Sequence, residues 1–370
     1  MKPLELYLHI PFCVSKCKYC DFLSAPAGEE ERQAYVENLC RKIRSYGELA
    51  EVSSVVSIFL GGGTPSILKA EQTEAIFQAI RETFALAEDA EITTEMNPGT
   101  VTREKLKTYR KVGINRLSIG LQSMDDQELK MLGRIHTVQD FLDTYRLARE
   151  EGFRNINVDL ISAIPYQTVE SWDQTLRRTA ELGPEHISAY SLIIEEGTPF
   201  YERYGEGGHA DELPGEEAER QMYYDTARIL ASYGYHRYEI SNYAKKGYEC
   251  RHNLGYWNRT DYLGIGSGAA SLIDNRRWAE GEEPQELTLQ EQMEEYMFLG
   301  LRKTEGVSLE QFAENFGSSM DRVYKEVLER MYRLGLMEKK GEYVRLTEQG
   351  IDVSNSVMSE FLLQLGTGDF

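Results

Sequence analysis

Leu4-Glu5-Leu6-Tyr7-Leu8-His9-Ile10-Pro11-Phe12-Cys13, followed by Cys17 and Cys20, is the stretch from which the rest of this 370-residue chain is read. Leu4 to Ile10 is a short apolar run that predicts a strand. Pro11, with no amide hydrogen to give a sheet, ends it. The cysteines sit at the spacing C-x3-C-x2-C in a loop that also holds Lys16 and Lys18. Three thiolates on one short loop can converge on a single iron–sulfur cube. A [4Fe–4S] cube ordinarily takes four, and the next cysteine, Cys40, lies in a segment with a helical pattern. One iron would stay open for a small ligand. A zinc knuckle is the alternative, but structural zinc sites use four ligands, often in paired C-x2-C elements, which this loop lacks.

Outward from that loop, β-branched runs alternate with amphipathic segments. Strands are predicted at 4–10, 55–60, 91–96, 116–121, 155–161 and 186–193. Helices are predicted at 31–46, 71–84, 103–112, 138–151 and 169–182. Six such repeats imply a parallel sheet with right-handed crossovers. An open barrel and a doubly wound sheet share this alternation, and periodicity does not choose between them. Polar and glycine-rich groups gather where the strands end: Gly61-Gly62-Gly63-Thr64-Pro65, Glu95-Met96-Asn97-Pro98-Gly99, Gly120-Leu121-Gln122-Ser123, and Asp159 within the fifth strand. Turns are often built from such residues. Their recurrence on successive strands beside a cysteine loop predicts one site at the strand ends.

Cys13, Cys17 and Cys20, with Tyr19 just before the last, resemble the signature of the radical S-adenosylmethionine (SAM) superfamily. The resemblance implies a [4Fe–4S] cluster whose open iron is chelated by SAM. It also implies an α/β fold with a partial (βα)6 TIM-like barrel and the site at the C-terminal ends of the strands, as in full barrels. Gly61 to Thr64 is similar to the glycine motif that holds the SAM amino group, with Thr64 as in the coproporphyrinogen-oxidase-like branch. By the same resemblance Tyr7, Tyr19, Gly62, Gly63, Thr64, Glu95, Gln122, Arg134 and Asp159 match SAM-contacting positions. Glu95 or Asp159 suits ribose or ammonium hydrogens, and Arg134 suits the carboxylate.

After the sixth strand, residues 206–219 carry six acids and no lysine or arginine, a solvated connection. Then comes the aromatic stretch His252-Asn253-Leu254-Gly255-Tyr256-Trp257. A packed turn with a hydrogen-bonded core histidine is one reading. The other is a heme site, because imidazole is a common axial ligand and Tyr and Trp faces pack on porphyrins. The stretch resembles the HNxxYW motif of the heme chaperone HemW family, which makes His252, Asn253, Tyr256 and Trp257 heme-binding candidates. Cys250 is close enough to be weighed as a thiolate ligand. The oxidase branch instead carries a further cysteine two places after the cluster, where this chain has Phe22, and a longer segment before it. The expected function is therefore a chaperone that binds heme and passes it to an apo-hemoprotein, with an electron donor for the cluster. The alternative is an oxygen-independent coproporphyrinogen III oxidase that decarboxylates propionates to vinyls. No residue is assigned a catalytic role.

From Leu287 on, a helix, a helix–turn–helix and a hairpin with Gly341 at its tip predict a winged-helix-like α+β module. Residues 290–370 hold 9 Lys/Arg and 15 Asp/Glu, and the whole chain has a net charge of −20. That disfavours nucleic acid as a partner. The expected divisions are 1–205 for the barrel, 206–286 for an extension with the motif, and 287–370 for the module. No apolar run reaches membrane-spanning length. The absence of a signal-like apolar start and five cysteines clustered mostly in one loop lead us to expect a reducing cytoplasm.

Overall fold

The computed structural model describes residues 1–362; the rest of the expected 287–370 module lies outside the described residues. Six parallel strands form its centre: β1 (Lys2–Ile10), β2 (Ser53–Gly62), β3 (Ala85–Met96), β4 (Arg116–Gln122), β5 (Ile156–Ser162) and β6 (His186–Ser191). They pair in sequence order and are joined by crossovers that carry helices. Alternation along β1 shows how the wall is built. Leu4, Leu6, Leu8 and Ile10 are buried in the apolar core, whereas Glu5, Tyr7 and His9 belong to the opposite, inner face. All seven residues of β4 are buried, as expected of a strand covered on both sides.

The surrounding helices start where side chains can cap them. Thr137 and Thr168 each accept an amide three residues on and close reciprocal capping boxes with Asp140 and Ser171. The helix Val169–Glu181 buries Trp172, whose indole N–H donates to Thr226 Oγ1 at 2.9 Å in the helix Glu216–Ser232. The sixth strand stops at Ser191, short of the expected end at 193. The Leu192 amide still donates to Ser162 O at 3.0 Å, and Leu192 and Ile193 line a cleft at the mouth.

Residues after 235 widen the sheet at both edges. Strands β7 (His236–Arg237) and β8 (Asn242–Ala244) continue it beyond β6. On the other side β9 (Tyr262–Ile265) runs parallel to β1. Beyond it lie β10 (Ala270–Ile273), β11 (Arg276–Ala279) and β12 (Gln285–Glu286), giving a twelve-stranded sheet among the described residues. The C-terminal module has its own core, including Met297, Phe312, Tyr324 and Phe361. Its strands β13 (Val307–Ser308), β14 (Met337–Lys340) and β15 (Tyr343–Leu346) form the expected wing. Within the module, two short helices, Met320–Val323 and Lys325–Arg333, are separated by a break. Tyr324 leaves helical geometry at the break, and its ring packs edge-on against Phe361.

Candidate functional site

The cysteine loop is pinned over the C-terminal ends of the strands by backbone bonds. Cys13 donates to Ala25 O at 3.1 Å, Lys18 donates to Leu132 O at 3.0 Å, and Phe200 donates to Lys18 O at 3.0 Å. The three thiols are free, partly exposed, and line one cleft of about 450 Å³. Two donors reach their sulfurs: Thr64 Oγ1 to Cys13 at 3.4 Å and Arg134 Nη1 to Cys17 at 3.5 Å. Burial pushes the Cys20 thiol up. Among the described residues no three His, Cys, Asp or Glu side chains are gathered as for a single metal ion. A cube spreads its ligands farther apart than one ion does. Three open thiols around a shared cleft thus fit a three-cysteine iron–sulfur cube.

The cleft brings together eight of the nine SAM positions: Tyr19, Gly62, Gly63, Thr64, Glu95, Gln122, Arg134 and Asp159. Gly62 has φ +109°, and a Cβ there would lie 2.6 Å from the His9 ring, so only glycine fits. Its amide donates to Glu95 Oε2 at 3.0 Å. Burial, with the neighbouring Asp159 charge, pushes the Glu95 carboxyl up to about 8. Asp159 is also pushed up by burial, and accepts from Ser118 at 2.9 Å and Asn157 at 2.8 Å. Gln122 adopts φ +70°, and its buried Oε1 has no partner in the protein. An unmatched buried acceptor on strained backbone marks a place for a ligand donor. Arg134 is steadied by Asn97 Oδ1 at 2.8 Å and Gly120 O at 2.9 Å. Tyr7 is the exception: it does not line this cleft, and its hydroxyl meets His9 Nδ1 at 3.0 Å.

Five matches bear on this arrangement. A family model described as the radical SAM superfamily matches residues 7–179, and one described as the HemN C-terminal domain matches 287–353. The chain is 37% identical to a protein named heme chaperone HemW from Bacillus subtilis (strain 168), across 97% of this chain and 99% of that one. The chain belongs to the HemW family. A HemW relative from Escherichia coli (strain K12) is 36% identical across 98% of this chain and 99% of its own. The solved structure of coproporphyrinogen III oxidase (HemN) from Escherichia coli, described as a radical SAM enzyme, superposes with a TM-score of 0.84 at 23% identity, over 97% of this chain and 90% of that one. That likeness establishes the α/β fold, and the family models mark its barrel as radical SAM and its C-terminal module as HemN-type.

In this HemW-family chain the motif lies deeper along the strands, away from their C-terminal ends. Helix Arg251–Trp257 packs at the level of Glu5, Ser57 and Glu91, which are near one another across β1, β2 and β3. His9, at the mouth, is four residues farther along β1, about 13 Å at strand rise. His252 is 1% exposed. Its Nδ1 meets Ser57 Oγ at 2.7 Å, its Nε2 meets the Tyr256 hydroxyl at 3.1 Å, and its ring stacks on Phe59. Burial and the Arg116 charge lower its pKa to about 3, so the ring is neutral. Both ring nitrogens are engaged within the protein. Cys250 is likewise fully buried, its thiol pushed up by burial and donating to Glu91 at 3.4 Å. Neither side chain opens to a surface.

Tyr256 and Trp257 do. With Tyr7, Tyr262, Leu272 and Arg277 they line a second cleft of about 320 Å³, closed on one side by Leu299 of the module helix Leu289–Gly300. The Trp257 indole N–H is buried without a partner, and Arg302 lies over its ring at 4.4 Å. Asn253 is half-buried and does not line this cleft. Sequence reasoning missed Arg277 and Tyr262, which lie on short late strands with no motif around them. It also missed Asn97, Ser118 and Asn157. Asn97 stood in a strand-end cluster that was noted, but nothing local marked it as the prop of Arg134.

Proposed function

We propose that this chain carries a [4Fe–4S] cluster on Cys13, Cys17 and Cys20, binds SAM beside it, holds heme, and delivers heme to an apo-hemoprotein. The near full-length likeness to proteins named heme chaperone HemW, together with the HNxxYW stretch, is the observation that carries this reading. Arg134 is placed to meet the SAM carboxylate, Glu95 and Asp159 its ammonium or ribose hydrogens, and Gln122 Oε1 a further donor. When bound, the cluster supplies an electron to SAM, which requires an electron donor. The chain's own contribution is to hold three thiols beside Thr64 and Arg134 and to bury two carboxyls next to the ligand.

For heme, the structure favours Tyr256 and Trp257 as the contacting faces, with Arg277 placed for a propionate. His252 acts behind them, through Tyr256. The expected setting is a reducing cytoplasm, which keeps the three thiols free. Among the described residues no helix is long and apolar enough to cross a membrane.

The decisive assay offers coproporphyrinogen III and SAM to the anaerobically reconstituted protein with a reductant, and in parallel offers the heme-loaded protein an apo-hemoprotein. Transfer of heme without formation of vinyl porphyrin supports the chaperone. Vinyl formation would replace it with the oxidase.

A further inference from the structure

Behind the aromatic cleft runs a short buried chain of hydrogen-bonding groups that the cluster chemistry does not use. Ser57 Oγ lies 3.0 Å from Glu5 Oε1 and 2.7 Å from His252 Nδ1. His252 Nε2 meets the Tyr256 hydroxyl, and Tyr256 lines the cleft. Glu5 is 2% exposed and its second oxygen has no partner. Gly255 makes room for it, since a Cβ at that position would fall 2.0 Å from Glu5 Oε1.

We infer that Glu5 and Ser57 are positioning residues for the aromatic cleft: through His252 they set which way the Tyr256 hydroxyl is used. The inference rests on the proposed heme site at Tyr256 and Trp257. With any Glu5 proton on Oε1, proton counting gives the chain two directions. Ser57 has one hydroxyl proton and neutral His252 one ring proton. If Glu5 carries a proton, it donates to Ser57, Ser57 donates to Nδ1, Nε2–H donates to the Tyr256 oxygen, and the phenol proton is free for a cleft ligand. If Glu5 is charged, every link reverses, and the phenol proton is turned inward to Nε2. The surroundings favour the first direction. Burial raises Glu5 and Glu91 on β3 adds to it, opposed by Ser57 and Arg251, while Arg116 on β4 acts against a second proton on His252. A phenol proton facing the cleft suits a carboxylate-bearing ligand beside Arg277.

The test reads the imidazole nitrogens of the full-length, 15N-histidine-labelled protein, with His252→Gln for assignment. At pH 7 the wild type should show His252 protonated on Nε2. Ser57→Ala should shift the Nδ1 signal, and Glu5→Leu should mix the two tautomers. Glu5→Gln, whose amide donates as the acid does, should keep the wild-type pattern. Hemin titration should follow the same order: Glu5→Gln binds like wild type, and Ser57→Ala and Glu5→Leu bind about fivefold more weakly, the worth of one hydrogen bond. A purely structural Glu5 would leave the tautomer unmoved. Protonation of wild-type His252 on Nδ1 at pH 7, or unchanged imidazole signals in both folded Ser57→Ala and Glu5→Leu, would overturn the inference. Because the imidazole arm needs no heme, failure of wild type to bind hemin would strike the proposed function and leave the chain itself decided.

Discussion

The cysteine loop and the HNxxYW helix are both short motifs read from spacing, yet the fold uses them in opposite ways. The loop sits over the strand ends with its thiols free and facing a cleft. The helix packs deeper along the same strands, with His252 engaged on both ring nitrogens. A motif residue at a mouth meets ligands itself; one in the interior acts through its neighbours. On that contrast we propose direct contact for Cys13, Cys17 and Cys20 but indirect action for His252, and the contrast can be broken by experiment at several points.

The largest effect belongs to the mouth. Each of Cys13→Ala, Cys17→Ala and Cys20→Ala should lose the iron and sulfide that wild type takes up on anaerobic reconstitution. The apo chain should melt within about 0.5 kcal/mol of wild type, because partly exposed thiols hold little packing. Full iron content in all three would end the ligand assignment.

The interior should respond to pH instead. Burial raises Glu5 to about 8 from an ordinary 4.5, so the folded state holds a proton that the unfolded state releases. Stability from this group is present in full below the unfolded pKa and falls as pH rises, by about 1.4 kcal/mol per unit, until the folded pKa is passed. Urea melts should therefore show Glu5→Gln gaining on wild type from about pH 5 to about pH 8. His252 pulls the other way, since a pKa lowered to about 3 costs stability as pH falls below its ordinary 6.5. A gap between Glu5→Gln and wild type that ignores pH would contradict the buried, protonated acid.

Gly255→Ala should cost about 1–3 kcal/mol, as overpacking does, because its Cβ would enter the Glu5 carboxyl. Gly47→Ala, with open space at its Cβ, is the control. A smaller effect again is expected of Arg134→Lys. It should weaken SAM binding about tenfold in equilibrium dialysis, since lysine cannot reproduce the forked contacts to Asn97, Gly120 and Cys17.

Much of the barrel was legible because its signals are local. Apolar runs closed by Pro11 or by the Gly61–Gly63 stretch marked β1 and β2 to within two residues. The mouth was legible because its residues recur at strand ends, and eight of nine SAM positions share one cleft there. Tyr7 departs because the inner face of β1 points it toward Phe59 and the aromatic cleft. The edge strands after 235 are two to four residues long, too short for periodicity to register. The burial of His252 was one of two readings left open by the sequence. It is decided by Glu5, Ser57 and Glu91, which come from three strands more than 150 positions away in the chain.

The central claim is that cluster and heme occupy separate sites, one at the mouth and one at the aromatic cleft. Hemin titration followed at the Soret band, on the triple variant Cys13→Ala, Cys17→Ala, Cys20→Ala and on Trp257→Ala, tests it most directly. The account predicts wild-type hemin affinity in the cluster-free triple variant, and lost affinity with full iron and sulfide in Trp257→Ala. Hemin binding that disappears with the cysteines and survives without Trp257 would contradict it.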